Sequence, residues 1–194
     1  MMDSPESSGF EMLCVCPDDL PLSRRGTTFC GMNKKAIYAG TFDPITLGHV
    51  DVVERAARIF PELIIGVAAL TGKDTLFSQE ERVALVKAAV ADLPNVRVEF
   101  FEGLLVNYAR SQDAGVIIRG LRAVSDFEHE FQMALTNRRL APDLETLFLM
   151  PKQDYSFLNS TNIKQVASLG GDVTEFVPPC VHQALKEKFS VGQV

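Results

Sequence analysis

The chain has 194 residues, 46% of them hydrophobic and 23% charged, a balance that suits one globular domain. Its formal net charge of −6 argues against bulk nucleic-acid binding through phosphate neutralisation. No run approaches the roughly 18 apolar residues of a membrane span, and the first residues lack the basic start and apolar core of a secretory signal.

Residues 1–33 are rich in Ser, Pro, Gly and Asp and show no sustained period, so they read as a disordered or loosely attached extension. Met32, at the junction, reads as a natural start that makes residues 1–31 optional. Three of the four cysteines, Cys14, Cys16 and Cys30, fall in this stretch; Cys180 is the fourth. Cys14 and Cys16 have no second pair at zinc-site spacing, so reduced thiols are expected rather than a metal site or disulfide framework.

From residue 34 to about 190 the pattern alternates as one domain. Lys35–Ala39 is a short apolar strand. Gly48–Phe60 is helical, with Val50, Val53, Ala57 and Phe60 spaced for one face. Leu63–Leu70 is a continuous apolar run, as in a strand buried on both faces. Ser78 and Glu81 form a capping box for a helix reaching about Leu93. Val96–Phe101 is a strand, Leu104–Gln112 a short helix, Gly115–Arg119 a strand and Ser125–Leu140 a long helix whose charges form a solvated face. Glu145–Pro151 is the last strand, and Ser160–Leu169 and Pro179–Phe189 are the closing helices. Strands separated by helices of this length predict an α/β fold. It is a Rossmann-like doubly wound five-stranded parallel sheet with helices on both faces.

Ligands of such sheets bind beyond the carboxyl ends of the strands, where strand order reverses. An unusual polar cluster follows every strand: GTFD, TGK, EGL, RGLR and KQDYSF. Five such clusters predict one site built from five loops. Gly40 ends the first strand and allows close approach of backbone or ligand. Gly48 and His49 open the next helix, where free N–H groups and partial positive charge make an anion site. His49 would donate to a phosphoryl oxygen there; a ligand-free capping role is the alternative. Gly72-Lys73 is not a Walker loop, because Gly66 lies one residue too far upstream and Asp74 stands where Ser or Thr would hold magnesium. Lys73 reads either as a single cation reaching into the rim or as a solvated loop lysine. Arg119 and Arg122 bracket Gly120 at a strand end, and guanidinium groups suit bidentate phosphate recognition. On the following helix, Asp126, Glu130 and Asn137 share or adjoin one face. His129-Glu130 fails H-E-x-x-H because Met133 stands at the second histidine position; with three histidines in the chain, a zinc hydrolase is not expected. Asn159, Ser160 and Thr161 are good caps for a second helix N-terminus aimed at phosphates. No G-x-S-x-G, Cys–His pair or dinucleotide fingerprint appears. Such a site suits substrates that bring their own nucleophile and leaving group.

GTFDPITLGH resembles the T/H-x-G-H signature of the nucleotidyltransferase superfamily. Together with IIRGLRA, DFEHE and FLMP-x-x-x-Y-S-F, it is similar to the bacterial phosphopantetheine adenylyltransferases over about Lys34 to Phe189. That resemblance implies transfer of the adenylyl group of ATP to 4′-phosphopantetheine, giving dephospho-coenzyme A and pyrophosphate, in a cytoplasmic homohexamer. By position it implies that His49 stabilises charge developing at the α- and β-phosphates. Thr41, Lys73 and Arg119 would hold the acceptor phosphate, and Leu105 the pantetheine arm. Phe42, Gly120, Leu121, Arg122 and Glu130 would hold ATP, together with Tyr155, Ser156, Phe157, Leu158, Asn159, Ser160 and Thr161. Mg2+ would accompany the triphosphate without a protein metal site. The alternatives are another adenylyltransferase, such as one acting on nicotinate mononucleotide, or a non-catalytic nucleotide-binding module.

Overall fold

The computed structural model describes residues 35–69, 75–122 and 124–190. The expected N-terminal extension and Lys73 lie outside the described residues. Five strands form one parallel sheet: β1 (Lys35–Gly40), β2 (Leu63–Ala68), β3 (Val96–Phe101), β4 (Ala114–Gly120) and β5 (Glu145–Leu149). Their order is β3-β2-β1-β4-β5. The chain therefore winds outward from β1 to β3, returns to the middle and winds outward again through β4 and β5. The reversal lies between β1 and β4, which opens a crevice beyond their carboxyl ends.

The inner strands are apolar on both faces because both faces are covered. On one side Ala36, Tyr38, Leu63, Ile65 and Ile118 pack beneath four helices: α1 (Leu47–Ile59), α2 (Gln79–Ala89), α5 (Ser160–Ser168) and α6 (Pro179–Ser190). On the other side Ile37, Ile64 and Ile117 meet α3 (Leu105–Ser111) and the segment after α4 (Val124–Leu140). Gly66 belongs to this second face. A Cβ there would lie 3.1 Å from Phe101, so glycine makes room for the stacked rings of Phe101 and Tyr108, 4.5 Å apart.

Three expectations shift. The helix predicted to reach Leu93 stops at Ala89; Leu93 N–H donates to the Val90 carbonyl in a turn instead. Leu93 precedes Pro94, and the proline ring disfavours helical backbone at that position. The buried stripe of α1 runs through Gly48, Val52, Val53 and Ala56, one position off the predicted Val50 and Ala57, which are half-buried. The third concerns α4, which leaves Phe127, Phe131 and Leu135 about half exposed on its outer side, so that face is not simply a charged one. A single 3-10 turn over Gln153–Tyr155, absent from the expected elements, links β5 to α5.

Candidate active site

The crevice between β1 and β4 is a cleft of about 600 Å³. Its floor begins with the turn after β1. Phe42 has left-handed backbone (φ 49°), which points its ring back under the strand end. There it lies edge-on to Tyr38 at 5.5 Å and to His49 at 5.3 Å. A Cβ on Gly40 would sit 3.0 Å from that ring, so the inward fold of Phe42 demands glycine two residues earlier. Thr41 is left at the cleft wall, its carbonyl held by Arg82 Nη1 at 2.7 Å.

Thr46 caps α1, and His49 completes a capping box in the place where glutamate is usual. The Thr46 N–H donates to His49 Nδ1 at 3.1 Å, and Thr46 Oγ1 lies 3.0 Å from the same nitrogen. Nδ1 is thereby an acceptor, so the neutral ring carries its proton on Nε2, the nitrogen left for the cleft. Burial, with the positive charges of Arg122 and then Arg119, lowers the His49 pKa to about 4. At neutral pH the ring is an uncharged donor whose orientation is fixed by the helix cap.

The cations of the cleft are not bare. Arg119 donates from Nε and Nη2 to the two oxygens of Glu130, at 2.6 and 2.7 Å, and from Nη1 to the Ala39 carbonyl at 2.9 Å. Three of its five N–H donors are committed, which fixes the guanidinium plane and leaves two for a ligand. Burial would depress its pKa, but the Glu130 carboxylate outweighs that and holds it above the ordinary value. Arg122 bonds Asp126 Oδ2 at 3.1 Å and the Leu158 carbonyl at 2.5 Å. Lys164, a cation the sequence reading passed over, pairs with Asp43. The carboxylates of Glu130 and Asp126 are thus spent on orienting arginines, a pairing across eleven and four residues that helix-face counting alone does not reveal.

The segment after β5 closes the cleft. Asn159 caps α5 through the Thr161 N–H at 2.8 Å, and Ser160 Oγ donates to the Pro44 carbonyl at 2.9 Å. Asp51 of α1, also passed over, accepts Arg55 Nε and the Lys152 N–H, each at 2.9 Å, and so pins the start of this segment to α1. Gly48 lets it lie close: a Cβ there would come within 3.3 Å of the Tyr155 carbonyl.

Of the predicted site residues, Thr41, Phe42, His49, Arg119, Gly120, Arg122, Glu130 and Leu158–Thr161 line this one cleft. The other described ones do not line it. Leu105 packs with the cluster around Ile37 and Phe101. Leu121 N–H bonds the Leu149 carbonyl. Ser156 Oγ donates to the Gln153 carbonyl, and the exposed Phe157 ring meets Phe176 edge-on at 5.9 Å. The loop after β3 contributes nothing to the walls, and the loop after β2 enters them at Thr75. Among the described residues no cluster of three or more His, Cys, Asp or Glu side chains is placed to hold a metal.

Residues 37–166 match the cytidylyltransferase-like family. A phosphopantetheine adenylyltransferase of Heliobacterium modesticaldum is 54% identical over 154 residues, covering 79% of this chain and 92% of that protein. Among solved structures, a candidate nicotinate-nucleotide adenylyltransferase from Vibrio parahaemolyticus matches with a TM-score of 0.60 at 21% identity, over 80% of this chain and 93% of its own. A bifunctional NMN adenylyltransferase/ADP ribose pyrophosphatase from Francisella tularensis matches with a TM-score of 0.60 at 15% identity, over 82% of this chain and half of its own. At these identities the two structures speak for the fold alone.

Proposed function

The chain belongs to the cytidylyltransferase-like family and, within it, to the phosphopantetheine adenylyltransferases, and from that premise we propose how its residues carry out the transfer. The phosphate of 4′-phosphopantetheine attacks the α-phosphorus of ATP in line. The new phosphoanhydride bond gives dephospho-coenzyme A, and the bond to the β-phosphate breaks to release pyrophosphate. A phosphomonoester has a second pKa near 6, so the nucleophile is already ionised at neutral pH and no protein base is needed. What remains for the protein is placement and stabilisation of charge.

The observation that carries this reading is the fixed, uncharged His49 ring at the mouth of α1, with Nε2–H as the free donor. Charge grows on the α-phosphate and the departing oxygen during transfer, and a preset donor there binds the transition state more strongly than the ground state. The two uncommitted N–H groups of Arg119, with Thr41 and Lys73, receive the acceptor phosphate. Arg122 and the N-terminal turn of α5 receive the triphosphate. Leu105 serves the pantetheine arm. Magnesium arrives with ATP and is held by its phosphate oxygens. Asp43, Asp126 and Glu130 support this assignment, since each already faces a cation. We place the reaction in the cytoplasm, where ATP is at hand.

We also propose that the working form is a homohexamer. Phe127 and Phe131 stack at 5.5 Å on the outer side of α4, beside the edge strand β5, and further copies would cover this apolar stripe. Sedimentation of the wild-type protein at six times the chain mass, with smaller species for Phe131→Glu, is expected; a monomeric wild type would contradict it.

The reaction is tested by pyrophosphate release with ATP and magnesium, comparing 4′-phosphopantetheine, nicotinate mononucleotide and no acceptor. Release with 4′-phosphopantetheine alone is expected. Release with the mononucleotide alone would keep the mechanism and overturn the acceptor.

A further inference from the structure

The walls of the cleft come from chain segments far apart in sequence, and one buried carboxylate ties its own turn to two others. Asp43 lies in the turn after β1 and is 6% exposed. Its Oδ1 accepts the Phe77 N–H at 3.0 Å, and its Oδ2 accepts the Leu76 N–H at 3.1 Å, both just before α2. Oδ2 also accepts Lys164 Nζ, from the second turn of α5. Two neighbouring contacts brace the same turn. Arg82 Nη1 forks between the Thr41 carbonyl at 2.7 Å and the Ala68 carbonyl at 2.9 Å, and Ser160 Oγ reaches the Pro44 carbonyl. The turn that carries Thr41 and Phe42 is thus tied to the end of β2, to the approach to α2 and to α5.

Three donors occupy most of the lone pairs of this carboxylate. Its negative charge is what the arrangement requires. An asparagine offers one strong acceptor, and its amide would turn N–H groups toward a backbone N–H or an ammonium group. Burying a charge is costly unless it is paired and hydrogen-bonded, and a contact retained at that cost at the mouth of a cleft fixes geometry more than it adds stability.

We propose that Asp43 is a positioning residue for the transfer. Its carboxylate holds the Thr41–Phe42 turn in register with the N-terminal turn of α5, so that the attacking phosphate and the departing pyrophosphate lie on one line. Phe42 carries this register to His49 through their edge-on contact at 5.3 Å.

The test is steady-state kinetics and calorimetric binding of Asp43→Asn, Lys164→Met, Lys164→Arg and the double variant D43N/K164M, beside the wild type. The proposal rests on the adenylyl-transfer reading, and the wild type separates the two: an inactive wild type defeats that reading, not this one. Asp43→Asn is expected to lose about 100-fold in kcat, the scale of an ångström-sized misplacement, with dissociation constants for ATP and acceptor within about fivefold of wild type. Adding Lys164→Met is expected to cost about threefold or less beyond that, because both changes break one contact. Lys164→Arg, which keeps the charge, is expected to retain at least about a third of wild-type kcat. A kcat within threefold of wild type for Asp43→Asn, or losses that multiply fully in the double variant, would overturn the proposal. Should Asp43→Asn fail to melt cooperatively, Lys164→Met decides alone, since Lys164 is partly exposed and severs only the link to α5: about tenfold lower kcat supports the proposal, and kcat within twofold of wild type overturns it.

Discussion

At the amino-terminal end of the sheet, Arg138 meets Glu145 with 65% and 61% of their side chains exposed, and Arg110 pairs with Asp143 on the surface in the same way. At the carboxyl end, Arg119 and Glu130 show 20% and 13%. The buried polar side chains among the described residues, Asp43, Thr46, Asp51 and Arg82, also lie at or beside this carboxyl end. The same kinds of side chain are therefore used in two ways. Exposed pairs contribute little, because water screens them and long side chains lose freedom in forming them. Buried pairs carry a desolvation cost that their attraction barely offsets, so packing alone does not explain their concentration at one end. A cleft that must present donors in fixed directions does.

Three changes break or sharpen this contrast. The largest effect is expected from Arg119→Met at the carboxyl end. It strands the Glu130 charge and removes the acceptor's guanidinium. kcat/KM should fall by about 1,000-fold, and stability by about 2 kcal/mol, less than for a fully buried pair because both side chains keep some solvent. Steady-state kinetics and urea denaturation check both; a loss of stability with kcat/KM intact would make the pair structural.

The His49 titration comes next. The ring's ordinary value is 6.5, and in the fold it falls to about 4. Between those values the unfolded chain binds the proton and the folded one does not. The contribution of this group to stability is therefore complete above about pH 6.5 and is lost as pH falls toward about 4. A two-dimensional NMR titration of the ring C–H should show a midpoint well below 6.5 in the free protein. Bound ATP should raise it, since its phosphates oppose the arginines. A midpoint at or above 6.5 in the free protein would remove the uncharged donor.

The smallest effect belongs to the amino-terminal end. Asp143→Ala should change stability by about 0.5 kcal/mol or less and leave kcat/KM unaltered, because its pair with Arg110 is exposed. A loss of activity there would show that the two ends are not independent.

Much of this was legible in the sequence. The alternating elements, the crevice at the strand ends and the Ser78–Glu81 cap follow from period and from local hydrogen-bonding rules, which act over a few residues. Thr41, His49, Arg119, Arg122 and Asn159–Thr161 meet in one cleft because each stands at or just beyond the carboxyl end of a strand or opens a helix. What was hidden depends on distance along the chain. Asp43 finds Lys164 across 121 positions, and Lys152 reaches Asp51 across 101, so no spacing rule links them. Arg119–Glu130 and Arg122–Asp126, eleven and four residues apart, were hidden for another reason: each joins a strand end or loop to a helix, where no single periodicity applies. A capping role for His49 stood in the sequence only as the alternative to a ligand role, because histidine, not the usual glutamate, supplies the returning side chain of the box.

The account turns on His49 acting in the transition state rather than in holding ATP. The most direct measurement is kcat for His49→Ala beside its calorimetric dissociation constant for ATP. The account predicts kcat lower by about 1,000-fold or more with the dissociation constant within about tenfold of wild type. A kcat within tenfold of wild type, or a loss matched by an equal loss of ATP binding, would contradict it.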